Sequence, residues 1–424
     1  MAHLLFGGSN RAGLAAIDSA LDLGHHVTFL MTPGMGAFFR DAPAQRTLSR
    51  VRIVELATFR DVDLLTQAVA RIHAADHVDA ALTVFDAVVQ PFAEACARCQ
   101  IRATSARAIA LARDKAQCRD RLRQHGIAQL PSRRVATPEQ ACQFAQEHGF
   151  PLILKPNSGL ASMLVQRVDS ERQIHAYFAD LAQAHAHIPE AVQENIELRD
   201  SIIVERYVAG DLYSVEAAVT AQGTHCLVLS RRKRDSLNDA IELGSTMPGT
   251  TDEAVIQRAY AYVTDILSAL GMDRGIFHVE LIIGEDAIPH LVEVNPRLMG
   301  GTSPSLYNLA SGRNVFEDLV HIHLDAPIAE VRAPRHAVAS RVIGAARDWV
   351  VRDDLPPDWI DGIACEMAYH GIQISQGQTL PRMTHNYHSL GQFQVRAQTP
   401  QEADIKADRL LEQISRITGV PLCH

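Results

Sequence analysis

The chain lacks an excess of basic residues, a regular cysteine pattern and a long hydrophobic run, and each absence excludes a class of protein. Its 424 residues include 49 acidic and 40 basic side chains, which give a formal net charge of −9. Broad nucleic-acid binding needs a basic field that neutralises phosphates, so this balance argues against a nucleic-acid partner. The basic run at 231–234 is a local exception, which we interpret as charge for a small anion at a cleft.

The seven cysteines are odd in number and irregularly spaced, as is typical of free thiols in a reducing compartment. Cys96 and Cys99 have CxxC spacing, but they fall in an amphipathic run, so we interpret them as two thiols packed on a helix. No apolar run approaches the ~20 residues of a membrane helix, and the N-terminus does not resemble an export signal. We therefore expect a cytoplasmic protein with no membrane partner.

The order of strand and helix patterns predicts an α/β fold with several domains. Residues 1–105 alternate apolar strands with amphipathic helices, which is typical of a doubly wound parallel sheet. A charged helix is expected over 112–125, followed by an apolar strand that ends at Lys155. From residue 201 the pattern is mostly β-strand, and a final helix is expected over 400–418.

The segment from Glu280 to Arg297 carries the most specific pattern. Glu280 interrupts an apolar strand, and a buried carboxylate needs a partner or a cation. On the next strand Glu293 and Asn295 are two residues apart and share a face, and a hairpin brings Glu280 beside them. Two carboxylates and an amide oxygen suit Mg²⁺, and Arg297 beyond them suits a phosphoryl group. The alternative is an internal salt-bridge network of Glu293, Arg297 and Lys233.

Three further patterns point to anion binding, although each alone also has a structural interpretation. Lys115 opens a helix, and Lys155 precedes a loop of small residues at 157–162 whose amides are suited to phosphates. No Walker sequence is present, so the chain is not a P-loop protein. Gly300 and Gly301 precede a helix start, which predicts a carboxylate or phosphate seat or simply a capped turn.

The segment that follows Glu205 is a candidate purine hinge. Glu205 ends an apolar strand, and a short stretch leads from it to Gly210. Backbone groups of Arg206, Tyr207 and Val208 are placed to read an adenine edge. An ordinary strand end with an exposed acid is the alternative.

Taken in order, these patterns resemble the ATP-grasp superfamily. The resemblance is carried by Lys115, Lys155 with its loop, Glu205-x-Tyr207-Val208, Glu280 and Glu293-x-Asn295 with Arg297. It covers roughly residues 1–330 and is greatest to the carboxylate–amine ligases that include the L-amino acid (dipeptide) ligases. The chain departs from those relatives at Ser245, where they often carry His, and near Met163, where they often have a second glycine.

The resemblance implies an α+β ATP-grasp architecture and a set of site residues. Its expected parts are a Rossmann-like pre-ATP-grasp domain at 1–105, a lid with a linking helix at 106–205, a core with the metal site at 206–330, and a C-terminal α/β segment at 331–424. The residues expected to hold ATP are Lys115, Lys155, Ser158, Gly159, Ser162, Glu205, Arg206, Tyr207, Val208 and Asp211. Those expected to bind Mg²⁺ are Glu280, Glu293 and Asn295, and those expected at the substrate are Glu242, Ser245, Arg297, Gly300 and Gly301. Arg297 and Lys155 are the expected catalytic residues.

The implied activity is that of an ADP-forming ligase. A carboxylate would be phosphorylated by ATP with Mg²⁺, for which Mn²⁺ is an acceptable substitute, and an amine would then attack the acyl phosphate. The expected partners are small-molecule carboxylates and amines, and a homodimer is left open. Two alternatives remain: an ATP-grasp carboxylase acting on bicarbonate, and an ATP-binding protein without catalysis.

Overall fold

The computed structural model describes residues 1–9, 11–157, 164–184, 201–235, 241–384 and 388–424. The first sheet has four parallel strands in the order β3-β2-β1-β4. Its strands are β1 (His3–Gly7), β2 (His26–Met31), β3 (Arg52–Glu55) and β4 (Ala80–Leu82), and the helices around it are α1 (Arg11–Asp22), α2 (Ala42–Leu48), α3 (Val62–Ala75) and α4 (Val89–Arg98). Strand β1 is buried along its whole length, as expected of a parallel strand covered on both faces. The predicted parallel sheet is confirmed.

The charged helix expected over 112–125 is two helices in the structure. Helix α5 (Ala106–Arg113) ends at Asp114, and α6 (Lys115–Gln124) begins directly after it. The Asp114 carboxylate accepts a hydrogen bond of 2.9 Å from the Gln117 amide, so it caps α6. The cap fixes Lys115 as the first residue of a helix, which agrees with the sequence pattern around that lysine.

A second sheet has four antiparallel strands in the order β5-β8-β6-β7. Its strands are β5 (Ser132–Val135), β6 (Leu152–Pro156), β7 (Gln166–Val168) and β8 (Ile202–Arg206), and its helices are α7 (Pro138–His148) and α8 (Glu171–Ala184). Apolar residues of α7, including Phe144, pack against Leu152 and Leu154 in a small separate core. This sheet carries Lys155 and Glu205.

The largest sheet has eight antiparallel strands in the order β13-β12-β9-β10-β11-β14-β18-β16. Its strands are β9 (Asp211–Thr220), β10 (Gly223–Arg234), β11 (Glu242–Met247), β12 (Gly275–Ile283), β13 (Pro289–Asn295), β14 (Ala337–Val342), β16 (Tyr369–Ile372) and β18 (Gly391–Ala397), and β15 (Trp349–Val350) pairs separately with β17 (Thr379–Leu380). The remaining helices are α9 (Glu253–Leu270), α10 (Ser303–Ser311), α11 (Val315–His323), α12 (Asp361–Ala364) and α13 (Pro400–Thr418). The last helix has the bounds that the sequence predicts, with a capping box between Thr399 and Glu402 at its start.

The two faces of the large sheet differ in chemistry. On the back face, Phe277, Val279 and Leu281 of β12 lie in one apolar core with residues of α9 such as Leu267. Alternate residues of the same strand, including Glu280, point to the front face. The apolar back face therefore fixes the strand register, and the register presents the polar residues of the front face together.

Strands from the last quarter of the chain extend this front face. Strand β14 pairs with β11, and β18 pairs with β14, so the C-terminal residues continue the sheet that holds Glu280. We keep the division at 105, 205 and 330 as a proposal about domains. Across the residues that the structure describes, no helix is both long and apolar enough to cross a membrane.

Candidate nucleotide and metal site

Glu280 and Glu293 lie opposite each other in the hairpin of β12 and β13. His278 pairs with Asn295 in the same register, so all four side chains lie on the front face. A β-bulge after Glu280 leaves Val292 as the extra residue of β13. The hairpin that the sequence predicts therefore exists, and it brings Glu280, Glu293 and Asn295 together.

These three side chains fit a hard divalent cation. Burial and the neighbouring Glu293 raise the pKa of Glu280. Burial also disfavours the charged form of Glu293, but Lys115 at 3.1 Å and the Asn295 amide outweigh it and lower its pKa. The Asn295 amide donates to Glu293 Oε1 at 3.0 Å. Two facing carboxylates with an amide oxygen are the donor set that Mg²⁺ accepts, and a bound cation relieves their repulsion.

The candidate metal site combines two carboxylates with an amide oxygen. Within the described ranges, no group of three His, Cys, Asp or Glu side chains is placed to hold a metal ion. The third donor in the proposed set is the amide oxygen of Asn295, and Mg²⁺ commonly takes only one or two carboxylates and completes its shell with water and phosphate oxygens.

His278 contacts the Glu280 carboxylate on the same face of the sheet. It was not among the site residues predicted from the sequence. Its Nδ1 lies 2.6 Å from Glu216 Oε1, and its Nε2 lies 3.1 Å from Glu280 Oε1. Burial opposes the charged imidazolium, but Glu216 and Glu280 outweigh it and raise the pKa of His278 to about 9. At neutral pH the ring therefore carries a proton on both nitrogens and donates to both carboxylates. The alternation His278-x-Glu280 in a strand was the available signal.

Lys155 and Arg119 share the buried carboxylate of Glu205. Lys155 Nζ lies 2.5 Å from Glu205 Oε2, and Arg119 Nε lies 2.9 Å from Oε1. The carbonyl of Val292 accepts from Lys155 at 3.2 Å and from Arg119 at 2.9 Å. Burial alone would raise the pKa of Glu205, but Arg119 and Lys155 lower it to about 2. Arg119 was missed because nothing around it in the sequence distinguishes it from a solvated arginine on a charged helix.

The hinge residues are only partly placed as expected. Glu205 is a buried counterion and not the exposed acid of the alternative interpretation, and its part in holding ATP stays a prediction. The amides of Arg206 and Tyr207 donate to the carbonyls of Pro131 and Pro151, at 3.1 and 3.2 Å. Those two N–H groups are therefore used within the second sheet, whereas Val208 lies in the segment that leads to the large sheet.

Asp211 does not lie on the front face of the large sheet, because of the strand register. It pairs with Ile283, a residue of the apolar back-face core, so its side chain starts on the back of the sheet. There it lies 3.9 Å from Arg231. The register thus directs the Asp211 side chain to the face opposite Glu280, and its part in holding ATP stays a prediction. Ser158, Gly159 and Ser162 lie outside the described residues.

The residues predicted at the substrate lie along the same front face. Arg232, opposite Ser245 in the register, forms an ion pair with Glu242. Its Nη1 lies 3.4 Å from Ser303 Oγ, at the start of α10. The buried Ser245 donates its amide to Ser340 Oγ at 3.1 Å, so β14 borders this part of the face.

Gly300 and Gly301 lie next to Arg297. A side-chain carbon at Gly300 would stand 3.8 Å from Arg297 Nη1, and Gly301 adopts φ +60°, a conformation that favours glycine. Lys233 contacts Asp408 at 3.1 Å, on the C-terminal helix. The alternative network of Glu293, Arg297 and Lys233 is therefore not formed, because Glu293 pairs with Lys115 instead.

Two cations from separate elements lie beside the paired-carboxylate hairpin, and comparison with known proteins places this geometry in an ATP-grasp fold. The sequence model of the ATP-grasp domain matches residues 148–305, so the chain contains an ATP-grasp domain. The large chain of carbamoyl phosphate synthase from Thermus thermophilus is 26% identical over 176 residues, which are 41% of this chain and 16% of that protein. The chain thus spans less than a fifth of that relative.

Solved structures show the same fold over nearly the whole chain. The L-amino acid ligase from Bacillus licheniformis has a TM-score of 0.76 and 18% identity, with 97% of both chains covered. The N5-carboxyaminoimidazole synthase from Aspergillus clavatus, solved with ADP and 5-aminoimidazole ribonucleotide, has a TM-score of 0.72, 19% identity, and 98% of this chain and 99% of that chain covered. Biotin carboxylase from Campylobacter jejuni has a TM-score of 0.69 and 15% identity, covering 95% of this chain and 89% of that one. The predicted ATP-grasp fold is confirmed.

Proposed function

We propose that this protein is an ADP-forming ligase that phosphorylates a carboxylate with ATP and transfers the acyl group to an amine. The observation that carries the proposal is the front-face pair Glu280 and Glu293 with Asn295, next to Lys115 and Arg297. Such a site suits a polyanion and a divalent cation together, which is the chemistry of a metal-bound nucleoside triphosphate.

The ATP phosphates would lie between the second sheet and the large sheet. Lys115 and Lys155 come from different elements and converge on β13, the first through Glu293 and the second through the Val292 carbonyl. Both lysines are less than 10% exposed, so their charges act on a phosphate with little screening by water. We propose that Glu205 holds Lys155 in place, with the segment from Arg206 to Val208 beside adenine.

Mg²⁺, when bound by Glu280, Glu293 and Asn295, would neutralise phosphate charge and align the γ-phosphate. The substrate carboxylate would attack that phosphorus in line, which releases ADP and forms an acyl phosphate. Arg297 would then donate to the oxygens on which negative charge develops, first in phosphoryl transfer and later in the attack of the amine. The amine would displace inorganic phosphate, so one ATP is converted to ADP and phosphate for each bond formed.

Amino acids are the substrates that we favour. Beyond the metal site, the front face carries the ion pair of Glu242 with Arg232, whose two signs of charge match the ammonium and carboxylate of an amino acid. Ser245 and the Gly300–Gly301 turn border the same region. The likeness to the L-amino acid ligase supports an amide or peptide product. The likeness to a carboxyaminoimidazole synthase and to biotin carboxylase supports bicarbonate as the second candidate for the carboxylate.

Phosphate release from ATP tests the proposal. Amino acids are offered singly and in pairs with Mg²⁺, with and without added bicarbonate, and products are identified by mass spectrometry. Release that requires both a carboxylate and an amine supports the ligase, whereas release that requires bicarbonate identifies the carboxylase. ATP binding without release under every combination would show a nucleotide-binding protein and overturn the proposed activity.

The location, the oligomeric state and the use of Mn²⁺ are three further proposals. We propose that the protein acts in the cytoplasm, because the described part of the chain holds free cysteines, most of them buried. A homodimer, and a role for Mn²⁺ in place of Mg²⁺, follow the resemblance to the superfamily. Size-exclusion chromatography with light scattering tests the first of these two, and metal exchange in the phosphate assay tests the second.

A further inference from the structure

Asp86 is a carboxylate of the first sheet that reaches the candidate active site. It begins a 3-10 turn, Asp86–Val88, between β4 and α4, and therefore lies at the carboxyl end of a parallel strand. Ligands of open α/β sheets bind outside this end of the strands. The side chain is only 12% exposed, so its charge needs partners.

Two arginines supply those partners, one on each carboxylate oxygen. Arg113 Nη1 lies 2.6 Å from Asp86 Oδ1 and also donates to the Asp86 carbonyl at 3.1 Å. Arg297 Nη2 lies 3.6 Å from Asp86 Oδ2. The Arg113 and Arg297 side chains are 20% and 15% exposed, so water screens these ion pairs less than it screens surface pairs.

Asp86 forms an ion pair with Arg297 from outside the segment that carries Arg297. Arg297 Nη1 donates to the neighbouring Leu298 carbonyl at 3.0 Å, and Nη2 lies 3.4 Å from Asn295 Oδ1. These two acceptors move together with Arg297 because they belong to the same short stretch of chain. Asp86 follows a strand of the first sheet, so its charge acts on the guanidinium from a separate part of the fold.

The same carboxylate also contacts the segment that carries Lys115. Arg113 is the last residue of α5, and Lys115 is the first residue of α6. A small cavity lined by Asp86, Arg113, Lys115 and Asn295 joins the two regions. A single carboxylate thus contacts Arg297 and, through Arg113, the chain segment that leads to Lys115.

We propose that Asp86 is a positioning residue that holds the Arg297 guanidinium against the phosphoryl group in transfer. This proposal rests on the proposed function, since it assigns Arg297 to that group. Asp86 itself touches neither substrate nor metal in this role and acts through Arg297. Without the carboxylate, the guanidinium keeps its charge but loses its direction, and a misplaced stabilising group loses about tenfold to a hundredfold in rate.

Binding of a phosphoryl-transfer mimic tests the proposal without requiring knowledge of the substrates. ADP and Mg²⁺ are titrated into the full-length protein with and without aluminium fluoride, and the gain in affinity measures stabilisation of the transferring group. We expect D86N to lower this gain about tenfold or more, as R297Q does, and to leave the affinity for ADP alone unchanged. D63N is the matched control, because Asp63 of α3 forms an exposed ion pair with Arg98 of α4 at 2.7 Å, beside the same first sheet.

A double-mutant cycle separates positioning from a general structural effect. If Asp86 acts through Arg297, D86N has no further effect on the gain once R297Q is present. A purely structural role predicts that D86N lowers the melting temperature and ADP affinity in both backgrounds, and that outcome overturns the proposal. D86E, which retains the charge, should recover part of the gain, whereas D63N should behave as wild type.

The remaining outcomes are also decisive. Full retention of the gain by D86N, or absence of any gain in the wild-type protein, shows that Asp86 does not position a group for phosphoryl transfer. A protein that shows the gain and the predicted cycle but joins no carboxylate to any amine would refute the ligase activity and leave the role of Asp86 supported. The two failures are therefore distinguishable.

Discussion

Replacing Glu205 with glutamine should destabilise the protein by about 3–5 kcal/mol, because it removes the shared counterion of two buried cations. Lys155 is 5% exposed and Arg119 is 1% exposed, so neither cation can recover its hydration in the folded state. Burial alone would favour the neutral acid, but Arg119 and Lys155 lower the pKa of Glu205 to about 2. An unfolded glutamate has a pKa of about 4.3, and the difference between the two values corresponds to about 3 kcal/mol.

The sign of the pH dependence follows from the lowered pKa. The ionised carboxylate contributes its full stability above about pH 4.3, where it is charged in both states. The contribution falls as the pH drops toward the folded pKa of about 2, because the unfolded chain binds the proton first. The Glu205→Gln variant should therefore be less stable than the wild type at pH 7. Between pH 5 and pH 3 the free energy of unfolding should fall less in the variant than in the wild type.

Urea unfolding followed by circular dichroism measures this effect. Tryptophan fluorescence is the poorer probe, because the two tryptophans, Trp349 and Trp359, both lie in the C-terminal part of the chain. The matched control is Glu147→Gln, which breaks an exposed pair with Arg133 and should cost no more than about 1 kcal/mol. A cost below about 1 kcal/mol for Glu205→Gln, or a pH profile equal to that of the wild type, would show that Glu205 does not stabilise Lys155 and Arg119 as their counterion.

Three further predictions concern the front face of the large sheet and the apolar core on its back face. Glu293→Gln should keep the fold but reduce ATP-dependent phosphate release about a hundredfold or more. Unchanged phosphate release would show that Glu293 does not bind the metal ion. His278→Gln should weaken Mn²⁺ binding in the presence of ADP, measured by electron paramagnetic resonance, by about tenfold to a hundredfold, since Glu280 loses its fixed donor. Leu267→Ala, at a fully buried position of α9, should cost about 2–5 kcal/mol in urea unfolding, whereas the exposed Leu64→Ala should cost far less.

Local patterns predicted the fold well where their period was uninterrupted. Alternation placed Glu280 on the face opposite Val279 and Leu281, and the paired strands show that arrangement. The single charged helix expected over 112–125 was wrong, because Asp114 serves as a helix cap and not as a residue within the helix. An aspartate that caps a helix and an aspartate inside a helix look alike in the sequence, and only the backbone conformation distinguishes them.

The candidate site was predictable to the extent that its residues are neighbours in sequence. Glu293 and Asn295 share a face because they are two residues apart in a strand, and no other part of the chain is needed for that inference. Arg119 could not be found in this way, since its partner Glu205 is 86 residues away. The resemblance implies that Asp211 lies near ATP, and only the register of β9 shows that its side chain starts on the back face.

The class of fold, the hairpin with its paired carboxylates and the bounds of the final helix follow from the sequence alone, because periodicity and capping act over a few residues. Which charges meet depends on the tertiary structure. It assigned Glu205 to Lys155 and Arg119, Glu293 to Lys115, and Asp86 to Arg297. An ion pair depends on distances across separate elements and on the loss of water around them, and neither quantity is encoded in the spacing of residues along a chain.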